Sequence, residues 1–365
     1  MKVVVKLGSS SVTNDNGGIN LGLLDGVAGQ ISQLTSSGHQ FVLVSSGAIA
    51  SGLFELGLGE RERPFDLAVL QAASAVGQGR LIEAYRMLFA QRSLRVGQVL
   101  LDPADFSERR KYLQARDTLG ALWNMGSVPV VNENDAVAND EIRFGDNDRL
   151  AALVANLLNA DLLLLLTDQA GVYTADPRRD VAASLIEEIA EIDVRVAEIG
   201  GPAGTSRGTG GMGSKLQAAK MASWSGIRTV IAAAERPHVV RESMNWTVGV
   251  GTLILPKERR LSARKLWLAF ATLSEGTVTV DIGARKALEQ NDRSLLPAGV
   301  RAVDGEFIAG ATVSIADESG EVFAKGISRR DSQKIRSIMG LRSSDLGDDG
   351  SVEVVHRDDL VLLRV

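Results

Sequence analysis

The sequence predicts an α/β fold, in which helices cover both faces of an open, mostly parallel sheet, followed by a small, mostly β C-terminal barrel. Two observations predict this architecture. Up to about residue 255, short apolar runs alternate with longer helical patterns. After about residue 270, apolar and polar residues alternate between glycines. Unbroken apolar runs are typical of strands buried on both faces of a parallel sheet, whereas alternation is typical of strands with one exposed face.

The first part contains five apolar runs that predict strands. They are Val3–Leu7, Phe41–Val44, Val128–Val131, Leu162–Leu166 and Thr229–Ala232. Helices are predicted between these strands, for example at Leu21–Leu34 and Leu150–Leu158. In the second helix, apolar residues recur at i, i+3, i+4, i+7 and i+8, and Asp146 or Asp148 is available as a cap. Strands that alternate with helices predict parallel pairing.

The C-terminal part contains three segments in which apolar and polar residues alternate. They are Gly276–Asp281, Thr312–Ile315 and Val352–Val355, and glycines separate them. This pattern predicts a mostly antiparallel barrel. We therefore expect one domain over residues 1–256, a second over residues 273–365, and a linker over residues 257–272, where the composition is basic and mixed.

The composition excludes several classes of protein. The chain has 365 residues, 45% hydrophobic and 23% charged, which is ordinary for a globular protein. A net charge of −5 disfavours a general nucleic-acid-binding surface. The absence of cysteine excludes disulfides and cysteine-ligated zinc. The charged N-terminus does not resemble a signal peptide, and the longest apolar run, Leu162–Leu166, is far below the ~18 residues of a membrane span. We expect a cytoplasmic location.

Small or polar residues follow four of the predicted strands. The four segments are Gly8–Ser11, Ser45–Ala48, Asn132–Asp135 and Thr167–Asp168. Ligands bind beyond the carboxyl ends of the strands in open parallel sheets. Each segment alone is explained equally well as a turn, because glycine, serine, asparagine and aspartate are common turn residues. The four together predict a polar crevice along one edge of the sheet.

The glycine-rich segment Gly208–Lys215 is a second sign of a ligand site. It matches the pattern G-x-G-x-x-G, but residues 200–207 before it form a loop, so the dinucleotide-binding motif, which follows a strand, is rejected. A P-loop is also rejected, because Ser214 stands where that motif requires lysine. Lys215 opens a predicted helix, Ser214–Ser225, where its charge opposes the helix dipole. A bound anion would explain this position; the alternative is a surface loop with an incidental lysine.

Lys6 is a second unusual lysine, because it lies in an otherwise apolar strand. A buried lysine without a partner is costly, so we expect Lys6 to extend from the strand end towards an anion. Two lysines and two glycine-rich loops at one crevice suit phosphoryl transfer. Near them, Asp146 is expected to cap a helix and Asp148 to organise the lysines, with metal binding as an alternative.

The three histidines, His39, His238 and His356, do not lie beside an obvious nucleophile, so a serine–histidine hydrolase is not expected. A carboxylate acceptor is already ionised at neutral pH and needs no general base. The sequence therefore favours an acid over an alcohol as the phosphoryl acceptor.

Six motifs resemble those of the amino acid kinase family. They are Val5–Ser10, Ser45–Ala50, Asn132–Asp135, Phe144–Asp148, Leu166–Tyr173 and Gly208–Lys215. The residues from about 273 to 355 resemble a PUA domain, so the resemblance covers nearly the whole chain. One residue departs from the family pattern: Gly213 stands where a small polar residue is expected.

The resemblance implies ATP-dependent phosphorylation of the γ-carboxylate of L-glutamate, the first step of proline synthesis. It implies that Lys6, Lys215 and Asp148 form the catalytic group. It implies that the acid is bound by Ser46, Gly47, Asp135 and Asn147, with Asp135 suited to the α-ammonium. It implies that the nucleotide is bound by Lys6, Thr167, Asp168, Thr209, Gly210, Gly211, Met212, Gly213, Ser214 and Lys215.

The resemblance also implies cofactors and partners. Mg²⁺ would be held largely by the ATP phosphates, so no protein metal ligand is expected. Members of the family are usually oligomeric, so a homodimer or homotetramer is expected, with proline as feedback inhibitor and a glutamyl phosphate reductase as a partner. PUA domains elsewhere bind RNA, but residues 270–365 hold 12 lysines and arginines against 16 aspartates and glutamates, a difference of −4 that disfavours RNA.

Two kinds of alternative stay open. The first is a kinase of the same family that acts on acetylglutamate, aspartate, carbamate or uridylate. The amino-acid sequence of Asn132–Asp135 and the PUA-like tail argue against it. The second is a non-catalytic RNA-binding or regulatory protein that keeps a kinase-like fold. The intact Lys6, Asp148 and Lys215, together with the acidic tail, argue against it.

Overall fold

The computed structural model describes residues 1–58, 66–106, 108–137, 147–199, 211–257, 261, 263–270, 272–291, 293–342 and 353–363. The chain divides into two compact units, Met1–Arg260 and Leu261–Val365. No helix in these ranges has both the length and the apolar character needed to cross a bilayer.

The first unit is built on one large sheet. Its strands in the described ranges are β1 (Lys2–Leu7), β2 (Gln40–Ser45), β3 (Arg95–Leu101), β4 (Ser127–Glu133), β5 (Leu162–Thr167), β6 (Glu188–Ile189), β7 (Arg228–Ala233) and β8 (Thr252–Ile254). Their order across the sheet is β3-β4-β2-β1-β5-β7-β8-β6. Neighbouring strands are parallel except for β7 and β8.

Helices pack against this sheet. They are α1 (Ser9–Val12), α2 (Leu21–Ser36), α3 (Ala48–Glu55), α4 (Leu67–Ala90), α5 (Arg109–Asn124), α6 (Asn147–Leu158), α7 (Val194–Ile199), α8 (Met212–Trp224) and α9 (Val239–Met244). Short 3₁₀ turns lie at Pro103–Phe106 and Asp135–Val137. Side-chain caps begin two of the long helices: Asn20 accepts a hydrogen bond from Leu23 N, and Asp66 accepts one from Val69 N.

The five strands predicted from apolar runs are confirmed. Each observed strand is one to three residues longer than its predicted run. All six residues of β5 are buried, as expected for a central strand covered on both faces. Strand β3 was not predicted. It pairs only with β4 at one edge of the sheet, and most of its residues are at least partly exposed, so its sequence lacks an unbroken apolar run.

Helices α3 and α4 pack so closely that their backbones are in contact. A Cβ atom at Gly77 would lie 1.9 Å from the carbonyl oxygen of Ala48, and one at Gly52 would lie 1.7 Å from the carbonyl oxygen of Ala73. Only glycine allows this approach. The contact holds α4 against the helix that begins directly after Gly47, at the end of β2.

The second unit contains a five-stranded sheet. Its described elements are α10 (Ala263–Phe270), β9 (Gly276–Val280), α11 (Ile282–Asn291), β10 (Val300–Asp304), β11 (Thr312–Asp317), β12 (Val322–Ser328), α12 (Ser332–Ile338) and β13 (Val355–Leu362). The strand order is β10-β9-β11-β12-β13, and all neighbours are antiparallel except β9 and β11.

One expectation for this region needs correction. Val352, the first residue of the predicted strand Val352–Val355, lies outside the described residues. Of the other three residues, Val355 begins β13, whereas Glu353 and Val354 precede it, although Val354 is buried. The range 257–272, predicted as a linker, contains helix α10, whose Leu268 and Ala269 pack with Val361 of β13. The basic residues of this range favoured the linker interpretation, although the apolar residues among them have helical spacing. The helices α11 and α12 were also not predicted.

Candidate active site

Three charged side chains meet at the carboxyl edge of the large sheet. Lys6 comes from the end of β1, Asp148 from the first turn of α6, and Lys215 from the first turn of α8. Lys6 Nζ lies 2.5 Å from Asp148 Oδ1, and Lys215 Nζ lies 3.1 Å from Asp148 Oδ2. All three residues are at least 95% buried. One carboxylate therefore bridges two ammonium groups.

The electrostatics of this cluster favour an anionic ligand. Complete burial would raise the pKa of Asp148, but Lys6 and Lys215 outweigh burial and hold its pKa well below the usual range. Asp148 is therefore ionised at neutral pH, and the three side chains together carry one net positive charge. Preorganised cations in a water-poor site stabilise negative charge strongly, because no reorganisation is needed when the charge develops.

The glycine loop reaches this cluster from the start of α8. Gly211 is the N-cap of α8, Met212 and Gly213 are half-buried in its first turn, and Thr209 and Gly210 lie outside the described residues. Ser214 Oγ lies 2.9 Å from Asp148 Oδ2 and 2.8 Å from the carbonyl oxygen of Gly211. The hydroxyl of Ser214, predicted to contact nucleotide, thus contacts Asp148.

Gly8 lies beside the Lys6 ammonium at the end of β1. A Cβ atom at Gly8 would lie 3.6 Å from Lys6 Nζ and 3.9 Å from the carbonyl oxygen of Leu166. On the neighbouring strand β5, Thr167 is buried and its Oγ1 donates to Asp168 Oδ1 at 2.9 Å, whereas Asp168 is exposed. These two predicted nucleotide contacts therefore lie at the end of a strand directly beside β1.

Three of the four predicted acid-binding residues, Ser46, Gly47 and Asn147, lie just after β2 and at the start of α6. Asn147 Nδ2 donates to Ser46 Oγ at 2.8 Å, to Asn132 Oδ1 at 2.9 Å and to the carbonyl oxygen of Ser45 at 3.3 Å. Gly47 has a φ of +98°, and a Cβ atom there would lie 2.9 Å from Val12 Cγ1, so this turn requires glycine. The structure thus brings Ser46, Gly47 and Asn147 together.

Asp135 begins the 3₁₀ turn that follows β4. Burial raises the pKa of this carboxyl to about 6, and a hydrogen bond with the Ser74 side chain opposes the rise only in part. This carboxyl is mostly ionised at neutral pH, but burial makes its charged form less stable than that of an exposed aspartate, and a cationic partner would stabilise it. Asp135 is therefore suited to bind a cation, such as the ammonium group of a ligand.

Sequence reasoning missed the polar side chains of α4 that contact this region. Ser74 bonds to Asp135, Gln78 Oε1 accepts from Asn132 Nδ2 at 2.7 Å, and Tyr85 OH lies 2.9 Å from Ser45 Oγ. All three are buried. The available signal was three polar residues at i, i+4 and i+11 on a helix face that is otherwise apolar.

A metal site was one alternative for the aspartates. Within the described ranges, no group of three or more histidine, aspartate and glutamate side chains is arranged to hold a metal ion. Asp148 instead contacts Lys6 and Lys215. The neighbouring Asp146, expected to cap the helix, lies outside those ranges.

Two buried lysines bridged by one aspartate at the carboxyl edge of a mostly parallel sheet suit phosphoryl transfer. Comparison with known families agrees with this class. The sequence model described as "Amino acid kinase family" matches residues 1–233, and that of the PUA domain matches residues 276–347. The chain belongs to the amino acid kinase family.

Two similar relatives share a name. A protein of Geobacter sp. (strain M21) named Glutamate 5-kinase is 45% identical over 370 residues, which cover 99% of this chain and 97% of that protein. A protein of Moorella thermoacetica with the same name is 43% identical over 366 residues, covering 99% and 96%. A solved isopentenyl phosphate kinase is 18% identical, with a TM-score of 0.49, covering 70% of this chain and 100% of that chain.

Proposed function

We propose that this protein is an ATP-dependent kinase that phosphorylates the γ-carboxylate of L-glutamate, giving L-glutamyl 5-phosphate in the first step of proline biosynthesis. The observation that carries the proposal is the bridge from Lys6 and Lys215 to the buried Asp148. Relatives named Glutamate 5-kinase, similar over nearly the full chain, support the choice of substrate.

The proposed reaction needs charge neutralisation more than proton transfer. A γ-carboxylate oxygen of glutamate attacks the γ-phosphorus of ATP, and the bond from that phosphorus to the β,γ-bridging oxygen breaks, so that ADP leaves with the electron pair. The acceptor is ionised at neutral pH and has no proton to lose. Lys6 and Lys215 neutralise the phosphoryl oxygens, while Asp148 holds both lysines in place.

The remaining residues divide between two ligands. We assign the nucleotide to Thr167, Asp168 and residues 209–215, and the acid to Ser46, Gly47, Asp135 and Asn147, with Asp135 on the α-ammonium. Mg²⁺, when bound through the ATP phosphates, supplies further positive charge. The bridged Asp148 does not fit a metal ligand, because both its oxygens contact ammonium groups.

The assignment of the acceptor is tested by ADP release in the presence of different acids. Purified protein, ATP and Mg²⁺ are mixed with L-glutamate, L-aspartate, N-acetylglutamate, carbamate or UMP. We expect release that depends on glutamate alone. Release with another acceptor would replace glutamate within the same family. No release with any acceptor, together with retardation of tRNA in a gel at moderate salt, would favour the non-catalytic alternative.

The pH dependence of glutamate use follows from the raised pKa of Asp135. Protonation below about pH 6 removes the charge that would pair with the α-ammonium. We therefore expect kcat/KM for glutamate to fall about tenfold per pH unit below that value, since this ratio reports groups of the free enzyme. Steady-state kinetics between pH 5 and 8 measure it.

The variant Asp135→Asn is the control for this pH dependence. It should raise KM for glutamate strongly, leave KM for ATP within a few-fold of wild type, and lose the inflection near pH 6. An inflection that persists in Asp135→Asn, or equal rises in both KM values, would contradict the assignment.

The wider organisation stays a prediction. We propose that residues 1–256 bind both substrates and carry out catalysis, and that residues 257–272 link them to a PUA-like domain at 273–365. We expect a cytoplasmic homo-oligomer that is inhibited by proline and supplies its labile product to a glutamyl phosphate reductase.

A further inference from the structure

Helix α4 carries a row of buried polar side chains, Ser74, Gln78 and Tyr85, on a face that otherwise packs into the apolar core. Buried polar groups cost free energy unless they are hydrogen-bonded. Here each of the three bonds to a segment of the proposed acid site: Ser74 to Asp135, Gln78 to Asn132, and Tyr85 to Ser45. These three side chains of α4 therefore hold segments of the proposed acid site in place.

The side-chain amides of Gln78, Asn132 and Asn147 are linked by hydrogen bonds, and the orientation of each amide is defined. Gln78 Oε1 accepts from Asn132 Nδ2 at 2.7 Å, and Asn132 Oδ1 accepts from Asn147 Nδ2 at 2.9 Å. Two backbone groups set the orientation of the amides, because a backbone N–H can only donate a hydrogen bond and a backbone carbonyl can only accept one. The N–H of Glu133 donates to Asn132 Oδ1 at 2.9 Å, and the carbonyl of Ser45 accepts from Asn147 Nδ2 at 3.3 Å.

The chain of amides leaves one acceptor unused at its far end. Asn147 Oδ1 is buried and has no hydrogen-bond partner among the described residues, while the Nδ2 atom of the same amide contacts Ser46 Oγ. A buried acceptor without a donor is rare and calls for an explanation. A ligand that brings N–H groups into the acid site would supply the missing donor.

We propose that Gln78 is a positioning residue for the acid substrate. Through Asn132 it holds Asn147 so that Oδ1 accepts a hydrogen bond from the substrate's α-ammonium, the group already assigned to Asp135. The inference rests on the proposed function for the identity of that ammonium. Acids that lack the ammonium group lose this contact.

Removal of the Gln78 oxygen disturbs the chain because Asn132 Nδ2 is left buried without an acceptor. Rotation of the Asn132 amide does not relieve this, because it would place Nδ2 against both the N–H of Glu133 and Nδ2 of Asn147. We therefore expect the Asn132 side chain to shift, and Asn147, which donates to Asn132 Oδ1, to shift with it and carry its own Oδ1 away from the substrate. The expected loss is therefore confined to recognition of the ammonium.

The test compares Gln78→Met, which has a similar length and no strong acceptor, with Gln78→Glu, which keeps an acceptor oxygen. Gln78 Nε2 has no hydrogen-bond partner among the described residues, so the glutamate variant removes no bond. Because position 78 is buried, we expect the carboxyl of this variant to stay protonated and uncharged. We expect Gln78→Met to raise KM for glutamate about tenfold or more, with kcat and KM for ATP within about twofold, and Gln78→Glu to stay close to wild type. If Gln78→Met does not fold, Gln78→Ala takes its place.

A second readout separates positioning from a general structural defect. Glutarate has both carboxylates of glutamate and no ammonium, and its competitive inhibition constant should be unchanged by Gln78→Met. Equal weakening of glutamate and glutarate, or a glutamate KM within twofold of wild type, would overturn the inference. Failure of the proposed function is distinct, because wild-type protein would then release no ADP with glutamate.

Discussion

Replacement of Lys215 by alanine is expected to lower kcat about 10³-fold or more, with KM for glutamate within a few-fold of wild type. The reason is that Lys215 is held by Asp148 in the buried site, 3.1 Å from its carboxylate, before any ligand arrives. Its charge acts mainly on the phosphoryl group in the transition state. Steady-state kinetics with glutamate and ATP measure both constants.

Lys220→Ala is the matched control for this prediction. Lys220 lies on the same helix, α8, where its ammonium sits 5.4 Å from the ring centre of Trp224. Loss of this lysine should leave kcat within about twofold of wild type, as expected for a side chain outside the site. Turnover of Lys215→Ala within a few-fold of wild type would contradict the role given to Lys215.

Replacement of Asp148 by asparagine is expected to reduce both activity and stability. The variant leaves the ammonium groups of Lys6 and Lys215 buried without the carboxylate between them. Breaking a buried ion pair by removal of one partner costs about 3–5 kcal/mol of the free energy of unfolding. Activity falls with it, because the two lysines repel each other and leave their positions. Chemical denaturation and steady-state kinetics measure the two losses.

The stability difference between wild type and Asp148→Asn should depend on pH. The pKa of Asp148 is lower in the folded protein than in the unfolded chain, so its contribution is complete above the unfolded pKa of about 3.9 and is lost as pH falls towards the folded pKa. The difference should therefore shrink below about pH 4. The exposed Asp117, paired with Arg116, gives the control variant Asp117→Asn, which should be neutral. A difference that grows on acidification would contradict this account of Asp148.

Much of the fold could be predicted because local sequence reports burial on both faces of a strand. The leucine run of β5 and the valine run of β1 have no other plausible structure in a chain of this composition. Strand β3 and helix α10 were missed for the opposite reason. Edge strand β3 mixes exposed and buried residues and has no unbroken apolar run. Helix α10 has the apolar stripe of an amphipathic helix, but it is only eight residues long and lies among basic residues that favoured the linker interpretation.

The candidate site was partly predictable by the same logic. Lys6 was noticed because a charge in an apolar strand requires an explanation, and Lys215 because it opens a helix after a glycine loop. Gln78 was not noticed, because a single glutamine in a helix becomes informative only when its partner is known. That partner, Asn132, lies 54 residues further along the chain. Long-range pairing of this kind leaves no trace in local sequence.

The measurement that tests the central claim most directly is the trapping of the acyl phosphate product by hydroxylamine. Wild-type protein, ATP, Mg²⁺ and L-glutamate are incubated with hydroxylamine, beside parallel reactions with L-aspartate and N-acetylglutamate. The account predicts γ-glutamyl hydroxamate from glutamate alone and none from Lys215→Ala at the same protein concentration. Folded protein that binds ATP but forms no hydroxamate from glutamate would contradict the account.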